Sequence, residues 1–145
     1  MRRKPRVLVV CTGNSMRSQM AEGVLRLDLG DQIEVFSAGT NPTRVHPLVI
    51  ALLGDIGYDA SQHRSKSVNE FLDTPMDLVI TVCDRAREAC PVFPLARRTI
   101  HRGYPDPVAL GSPGEREKLM TEIRDRMRHE LCDLVVKELN LRLLR

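Results

Sequence analysis

Arg6-Val7-Leu8-Val9-Val10, running straight into Cys11-Thr12-Gly13-Asn14-Ser15-Met16-Arg17-Ser18, is the stretch that decides the fold. Its first half is an unbroken apolar run rich in β-branched residues, the pattern of a strand buried on both faces of a parallel sheet. Its second half is polar and glycine-containing, and it opens onto a helical pattern. From Ser18 to Leu29 the apolar residues Met20, Ala21, Val24, Leu25 and Leu27 recur at helical spacing, with Gly30 as a stop. Strand, loop and helix in that order make the first unit of an α/β domain.

Working outward, the same alternation continues. Ile33 to Ser37 reads as a second strand ended by Ala38-Gly39, and Pro47 to Leu53 as a helix broken by Gly54 and Gly57. Leu78 to Val82 is a third strand, and Thr99 to His101 a short fourth. A loop from Gly103 to Gly114 then leads into a long helix from about Glu115, with Leu119, Ile123, Met127, Leu131, Leu134 and Val135 on one face. The expectation is a single doubly wound, flavodoxin-like domain over residues 1–145, with a four-stranded parallel sheet in the order 2-1-3-4. That order sets the carboxyl end of strand one beside that of strand three, where ligands bind in such sheets. Cys11 follows strand one and Cys83 follows strand three, so with strands about 4.8 Å apart the two thiols are expected to be neighbours.

The chain has 145 residues, 42% hydrophobic and 28% charged, enough for one core to fold without staples. The longest apolar run, Pro47 to Leu53, is far short of the ~18–20 residues that span a bilayer. The basic start, Met1 to Pro5, is followed by too short an apolar stretch for a signal peptide, so a cytoplasmic protein is expected. Twenty-two basic against nineteen acidic residues, with 3% aromatics, argue against a nucleic-acid face. Arg85, Arg87, Arg97, Arg98 and Arg102 read instead as a solvated surface. The four histidines show no metal-ligand spacing from the cysteines, so no metal or cofactor is expected.

The loop itself carries chemistry. Thr12, Gly13, Asn14, Ser15, Met16 and Arg17 form a turn whose backbone N–H groups and helix N-terminus suit an oxyanion. Gly13 and Asn14 are the types that tolerate positive φ. Arg17 adds a planar fork for a tetrahedral anion, and the same field favours a thiolate on Cys11, to which Ser18 can donate. The glycine–lysine pattern of nucleotide-binding loops is absent. Cys83 and Cys90 are seven residues apart in a segment that favours a helix. Seven helical residues rise about 10.5 Å, beyond the ~7 Å Cα limit for a disulfide, so their oxidation requires the segment to unwind. Cys132 reads as a residue at the edge of the core.

Residues 11–23, with Ser37-Ala38-Gly39, Thr81-Val82-Cys83, Ala89-Cys90-Pro91 and Asp106-Pro107, resemble the low-molecular-weight tyrosine phosphatase superfamily. More closely, they resemble its thioredoxin-coupled arsenate reductase branch, over nearly the whole chain. The resemblance implies that Cys11 attacks arsenate held by the loop and Arg17, while Asp106 protonates the departing oxygen. It further implies a Cys11–Cys83–Cys90 disulfide relay recycled by thioredoxin, in a monomer serving arsenic detoxification. Phosphate or sulfate, of the same shape, is expected to fit the loop. The alternative is a tyrosine phosphatase using Cys11, Arg17 and Asp106 alone, which leaves Cys83 and Cys90 unexplained. Two positions depart from relatives. Met16 stands where some carry cysteine, and Lys66 stands where some carry an aspartate that helps bind potassium, with residues matching Asn14, Glu22 and Ser37. Lys66 then either supplies an internal cation beside Glu22 or faces solvent.

Overall fold

Strand β1 (Arg6–Cys11) lies at the centre of a parallel sheet with β2 (Glu34–Gly39), β3 (Leu78–Thr81) and β4 (Thr99–His101), in the order β2-β1-β3-β4. This is the expected flavodoxin-like topology, seen in a computed structural model that describes residues 3–84, 92–107 and 111–142. Val7 to Val10 are completely buried, which accounts for the absence of any polar residue between Arg6 and Cys11. Helix α1 (Arg17–Leu29) returns from the loop and packs on β1 and β2. Helices α2 (Pro47–Gly54), α3 (Pro113–Arg126) and α4 (Cys132–Leu139) pack against α1. A 3-10 turn at Val68–Phe71 sets the Phe71 ring 5.5 Å from that of Phe36 on β2. Among the described residues no helix is long and apolar enough to cross a membrane.

The carboxyl-terminal helix differs from expectation in two ways. It begins at Pro113 because Ser112 caps it: the serine hydroxyl accepts from the Glu115 amide at 3.2 Å and bonds the Glu115 carboxylate at 3.0 Å. It is also interrupted by a π-helical turn at Met127–Leu131. The extra residue in that turn lets Met127 and Cys132, five apart, both face the core. It shifts the phase of everything after, so Cys132 is fully buried rather than at the core edge, and Leu134 is only half-buried. Within the turn, Arg128 grips Asp28 of α1 through two hydrogen bonds of 2.8 and 3.1 Å.

On the outer side of the sheet, the Arg26 guanidinium of α1 donates twice to the Val35 carbonyl of β2, at 2.7 and 3.2 Å. At the carboxyl end, Cys11 pairs with Gly39 across β1 and β2, and there the glycine is required. A Cβ at position 39 would stand 2.5 Å from the Thr12 carbonyl oxygen and 2.8 Å from the Asn14 nitrogen, both backbone atoms. The loop can fold back over the sheet only because that methyl group is missing. Gly39→Ala is therefore expected to lower stability by about 1–3 kcal/mol. Gly54→Ala, where nothing lies within 4 Å of the added carbon, is expected to stay within about 0.5 kcal/mol. Urea unfolding of the two variants checks this, and equal midpoints would contradict it.

Candidate active site

The loop from Cys11 to Arg17 is held from outside by its carbonyls. The amides of Thr40, Asn41, Thr43 and His46 donate to the carbonyls of Cys11, Thr12, Gly13 and Ser15, at 2.8–3.1 Å. A trans peptide points its N–H opposite to its C=O, so the amides of Thr12, Gly13, Asn14 and Met16 turn to the loop's other side. Helix α1 then begins with no side-chain cap and no acidic residue in its first turn. Its leading N–H groups are left for a ligand, which is the arrangement an oxyanion needs. Asn14 alone in the loop has a positive φ, 47°. Gly13, expected to share that conformation, does not; its missing side chain matters for space, since a Cβ there would lie 3.3 Å from the Thr43 hydroxyl.

Asn14 is completely buried and uses its whole carboxamide. Its oxygen accepts from the Lys66 amide at 2.8 Å and from Gln19 Nε2 at 3.0 Å. Its nitrogen donates to Ser18 Oγ at 2.8 Å and to Ser37 Oγ at 2.9 Å. Ser37 in turn donates to Glu22 Oε1 at 2.6 Å. Ser18 Oγ, accepting from Asn14, lies 2.8 Å from Cys11 Sγ and has its own proton to give, the polarity that suits a thiolate. Ser18, Glu22 and Arg26 fall four apart along one face of α1, and Arg26 closes the row on Glu22 at 3.3 Å.

Lys66 is internal. Its ammonium donates to the Arg64 carbonyl at 2.8 Å and lies 3.7 Å from Glu22 Oε1, with 8% of the residue exposed. Burial pulls its pKa below the ordinary lysine value against the opposing pull of Glu22. The solvent-facing alternative is thereby set aside: a cation already stands against the buried carboxylate.

The sequence offered no signal for the next layer. Gln19 Nε2 donates to the Asn14 carbonyl and side chain and to the Arg64 carbonyl, so its oxygen faces His63 Nδ1 at 2.8 Å. That oxygen only accepts, so His63 carries its proton on Nδ1, leaving Nε2 to accept from the Tyr58 hydroxyl at 2.8 Å. The same Nε2 lies 3.3 Å from Glu22 Oε2. Burial outweighs that carboxylate and pulls the His63 pKa below its ordinary value, keeping the ring neutral.

Around the mouth, Cys11, Thr12, Arg17, Cys83, Tyr104 and Asp106 line one cleft of about 510 Å³. The Thr12 hydroxyl is 3.4 Å from Cys83 Sγ, and the two strand ends place Cys11 and Cys83 on the same cleft, as their positions suggested. Arg17 donates to the Tyr104 carbonyl at 3.0 Å and lies 3.8 Å from Asp106 Oδ1. Gly13, Ser15 and Met16 complete the loop wall of the same cleft. Tyr104 carries no signal in the sequence, because a backbone carbonyl has no residue-type signature. Its ring carries the Arg126 guanidinium at 5.1 Å, and Glu130 of the π turn pairs with Arg126 and Arg102, at 3.1 and 3.2 Å. Burial pushes the Tyr104 hydroxyl up to about 12. Arg98 pairs with Glu138 and Arg97 is exposed, in keeping with a solvated basic surface. Cys90, Arg85 and Arg87 lie outside the described residues. Among the described residues no group of three or more His, Cys, Asp or Glu is placed to hold a metal ion.

A family model described as low molecular weight phosphotyrosine protein phosphatase matches residues 6–141. The chain is 38% identical over 120 residues to an arsenate reductase of Halalkalibacterium halodurans, covering 82% of this chain and 86% of that one. A solved structure of an arsenate reductase in the phosphate-binding state superposes with a TM-score of 0.78 at 29% identity, covering 92% of this chain and 98% of the other. A thioredoxin-dependent arsenate reductase of Corynebacterium glutamicum gives a TM-score of 0.68 at 27% identity, over 92% of this chain and 63% of that one.

The neutral, buried His63 makes stability pH-dependent. Its folded pKa lies below the unfolded value of about 6.5, so on acidification the unfolded chain takes up the proton first. Its contribution is fully present above about pH 6.5 and is lost as pH falls from there through the folded value, at no more than about 1.4 kcal/mol per pH unit. Urea midpoints between pH 7.5 and 5 are expected to fall more steeply in the parent protein than in His63→Gln. Parallel slopes would overturn the neutral assignment.

Proposed function

The chain belongs to the low molecular weight phosphotyrosine protein phosphatase family, and from that premise we propose that it reduces arsenate to arsenite. The observation that carries this reading is the meeting of Cys11, Arg17 and Cys83 on one cleft. A phosphatase needs the first two; a sulfur–sulfur relay gives the buried second thiol beside Thr12 a chemical use.

Arsenate binds against the loop amides, the start of α1 and Arg17. The Cys11 thiolate attacks arsenic, and Asp106 at the rim protonates the hydroxyl that leaves as water. Cys83 then attacks the Cys11 sulfur. The sulfur–arsenic bond breaks with its electron pair going to arsenic, so arsenite departs and a Cys11–Cys83 disulfide remains. Cys90 attacks Cys83, freeing the Cys11 thiolate and moving the disulfide to Cys83–Cys90. A dithiol reductant of the thioredoxin class reduces that bond. The two electrons gained by arsenic are those lost by the two thiols, and every step is an ordinary displacement. The similarity to relatives named as arsenate reductases, one of them thioredoxin-dependent, supports the assignment.

The test is a division of labour among cysteines, read by arsenate turnover with thioredoxin, its reductase and NADPH, and by hydrolysis of an aryl phosphate. Cys11→Ser is expected to lower both activities by at least about a thousandfold. Cys83→Ser is expected to lose arsenate reduction while the folded protein still hydrolyses the aryl phosphate. Cys90→Ser is expected to stop after one turnover, with Cys11 and Cys83 joined in peptide mass mapping. Sustained turnover by Cys90→Ser would refute the relay, and aryl phosphate hydrolysis with no arsenate reduction by the parent protein would return the chain to the phosphatases.

A further inference from the structure

Beside the cleft, at the ends of β3 and β4, a histidine spans Cys83. Thr81 and His101 face each other in the β3–β4 register, and the Thr81 hydroxyl lies 2.9 Å from His101 Nδ1. The other ring nitrogen, Nε2, lies 3.0 Å from Asp84 Oδ1. An ionised carboxylate only accepts, so Nε2 carries the proton and donates to Asp84. In the neutral ring, Nδ1 then accepts from the Thr81 hydroxyl. The ring thus ties the residue two before Cys83 to the residue immediately after it. Gly103 makes room for the ring: a Cβ there would meet His101 Nε2 at 3.2 Å and Asp84 Oδ1 at 3.7 Å. The backbone beneath is clamped as well, with Arg102 and Tyr104 amides donating to the Thr81 and Val82 carbonyls at 2.8 and 2.9 Å. The Asp84 side chain is otherwise in solvent, 88% exposed, so the bond to His101 is the tie that orients it.

We propose that His101 is a positioning residue for Cys83: through Thr81 and Asp84 it holds the Cys83 turn at the distance and angle from which its sulfur attacks Cys11. The inference rests on the thiol relay proposed above for its place in arsenate reduction. The geometric claim concerns sulfur–sulfur closure and is open to a trial without arsenate. Sulfur attack on sulfur needs an in-line approach, and a misplacement of about 1 Å is enough to slow such a step by one to two orders of magnitude.

The experiment uses Cys90→Ser protein with hydrogen peroxide as oxidant. Peroxide converts the Cys11 thiolate to a sulfenic acid, releasing hydroxide. The Cys83 thiolate then displaces hydroxide from that sulfur, giving the Cys11–Cys83 disulfide. Adding His101→Ala is expected to slow disulfide closure about tenfold, while Cys11 is oxidised at the parental rate. His101→Gln, whose amide stands in for Nε2 and still reaches Asp84, is expected to recover most of the rate. His101→Asn, which reaches only toward Thr81, is not. In arsenate turnover the same substitution lowers kcat and leaves KM, set at the Cys11 loop, in place. Closure at the parental rate in His101→Ala would overturn the proposal, as would a parallel loss of aryl phosphate hydrolysis or a His101→Gln no better than alanine. If the parent protein reduces no arsenate yet peroxide closure still slows on loss of His101, the proposed function fails and the positioning role stands.

Discussion

One side chain's valence governs the site. Asn14 sits buried in a left-handed backbone conformation, and all four of its carboxamide hydrogen-bonding positions are taken. Because two donors fill its oxygen, its nitrogen must face Ser18 and Ser37. Because that nitrogen faces them, the two hydroxyl protons are released, one toward Cys11 and the other to Glu22. The direction of every hydrogen bond from Cys11 to the buried carboxylate thus follows from the orientation of one amide. A buried carboxylate needs compensating positive charge, and Lys66 and Arg26 converge on Glu22 to provide it. The backbone strain, the polar row along α1 and the internal lysine are consequences of one another.

The opposite wall is built differently. Arg17 is steadied by a carbonyl, that of Tyr104, and Tyr104 is steadied by the carboxyl-terminal helices through Arg126 and Glu130. The π turn, which costs the helix its regular period, is the point from which Glu130 reaches the loop bearing Asp106. The two walls therefore derive their rigidity from different parts of the chain: one from the first half, residues 13 to 66, the other from the carboxyl-terminal helices about a hundred positions beyond Cys11.

That difference also marks what was legible in the sequence. The buried strand Val7–Val10, the α1 periodicity, the Cys11–Arg17 loop and the placing of Cys11 and Cys83 on one cleft follow from local pattern and from topology, and the structure carries them. The Ser112–Glu115 pair is an equally local signal, a capping box that starts α3 at Pro113, two residues before the apolar periodicity alone places it. The π turn was not visible, because an apolar stripe spaced three and four apart looks the same with one residue inserted, until Cys132 and Leu134 exchange environments. Gln19, Tyr58 and His63 have no shared motif; their function as a set exists only once forty residues of intervening chain have been folded. Lys66 fits two environments in sequence because a lone lysine says nothing of its surroundings, and its partner Glu22 lies on another element. Tyr104 contributes a backbone atom, to which side-chain identity is blind.

Arg26 has a role of a different kind. Strand β2 is an edge of the sheet, and an edge offers unpaired carbonyls on which another chain's strand can template. The guanidinium that neutralises Glu22 also occupies the Val35 carbonyl with two of its donors. The charge that keeps the interior of the site electrically balanced is thus also the guard of the sheet margin. A chain without it would be compromised twice, once in the stability of a single molecule and once in its colloidal behaviour, as a β-strand exposed to its own copies.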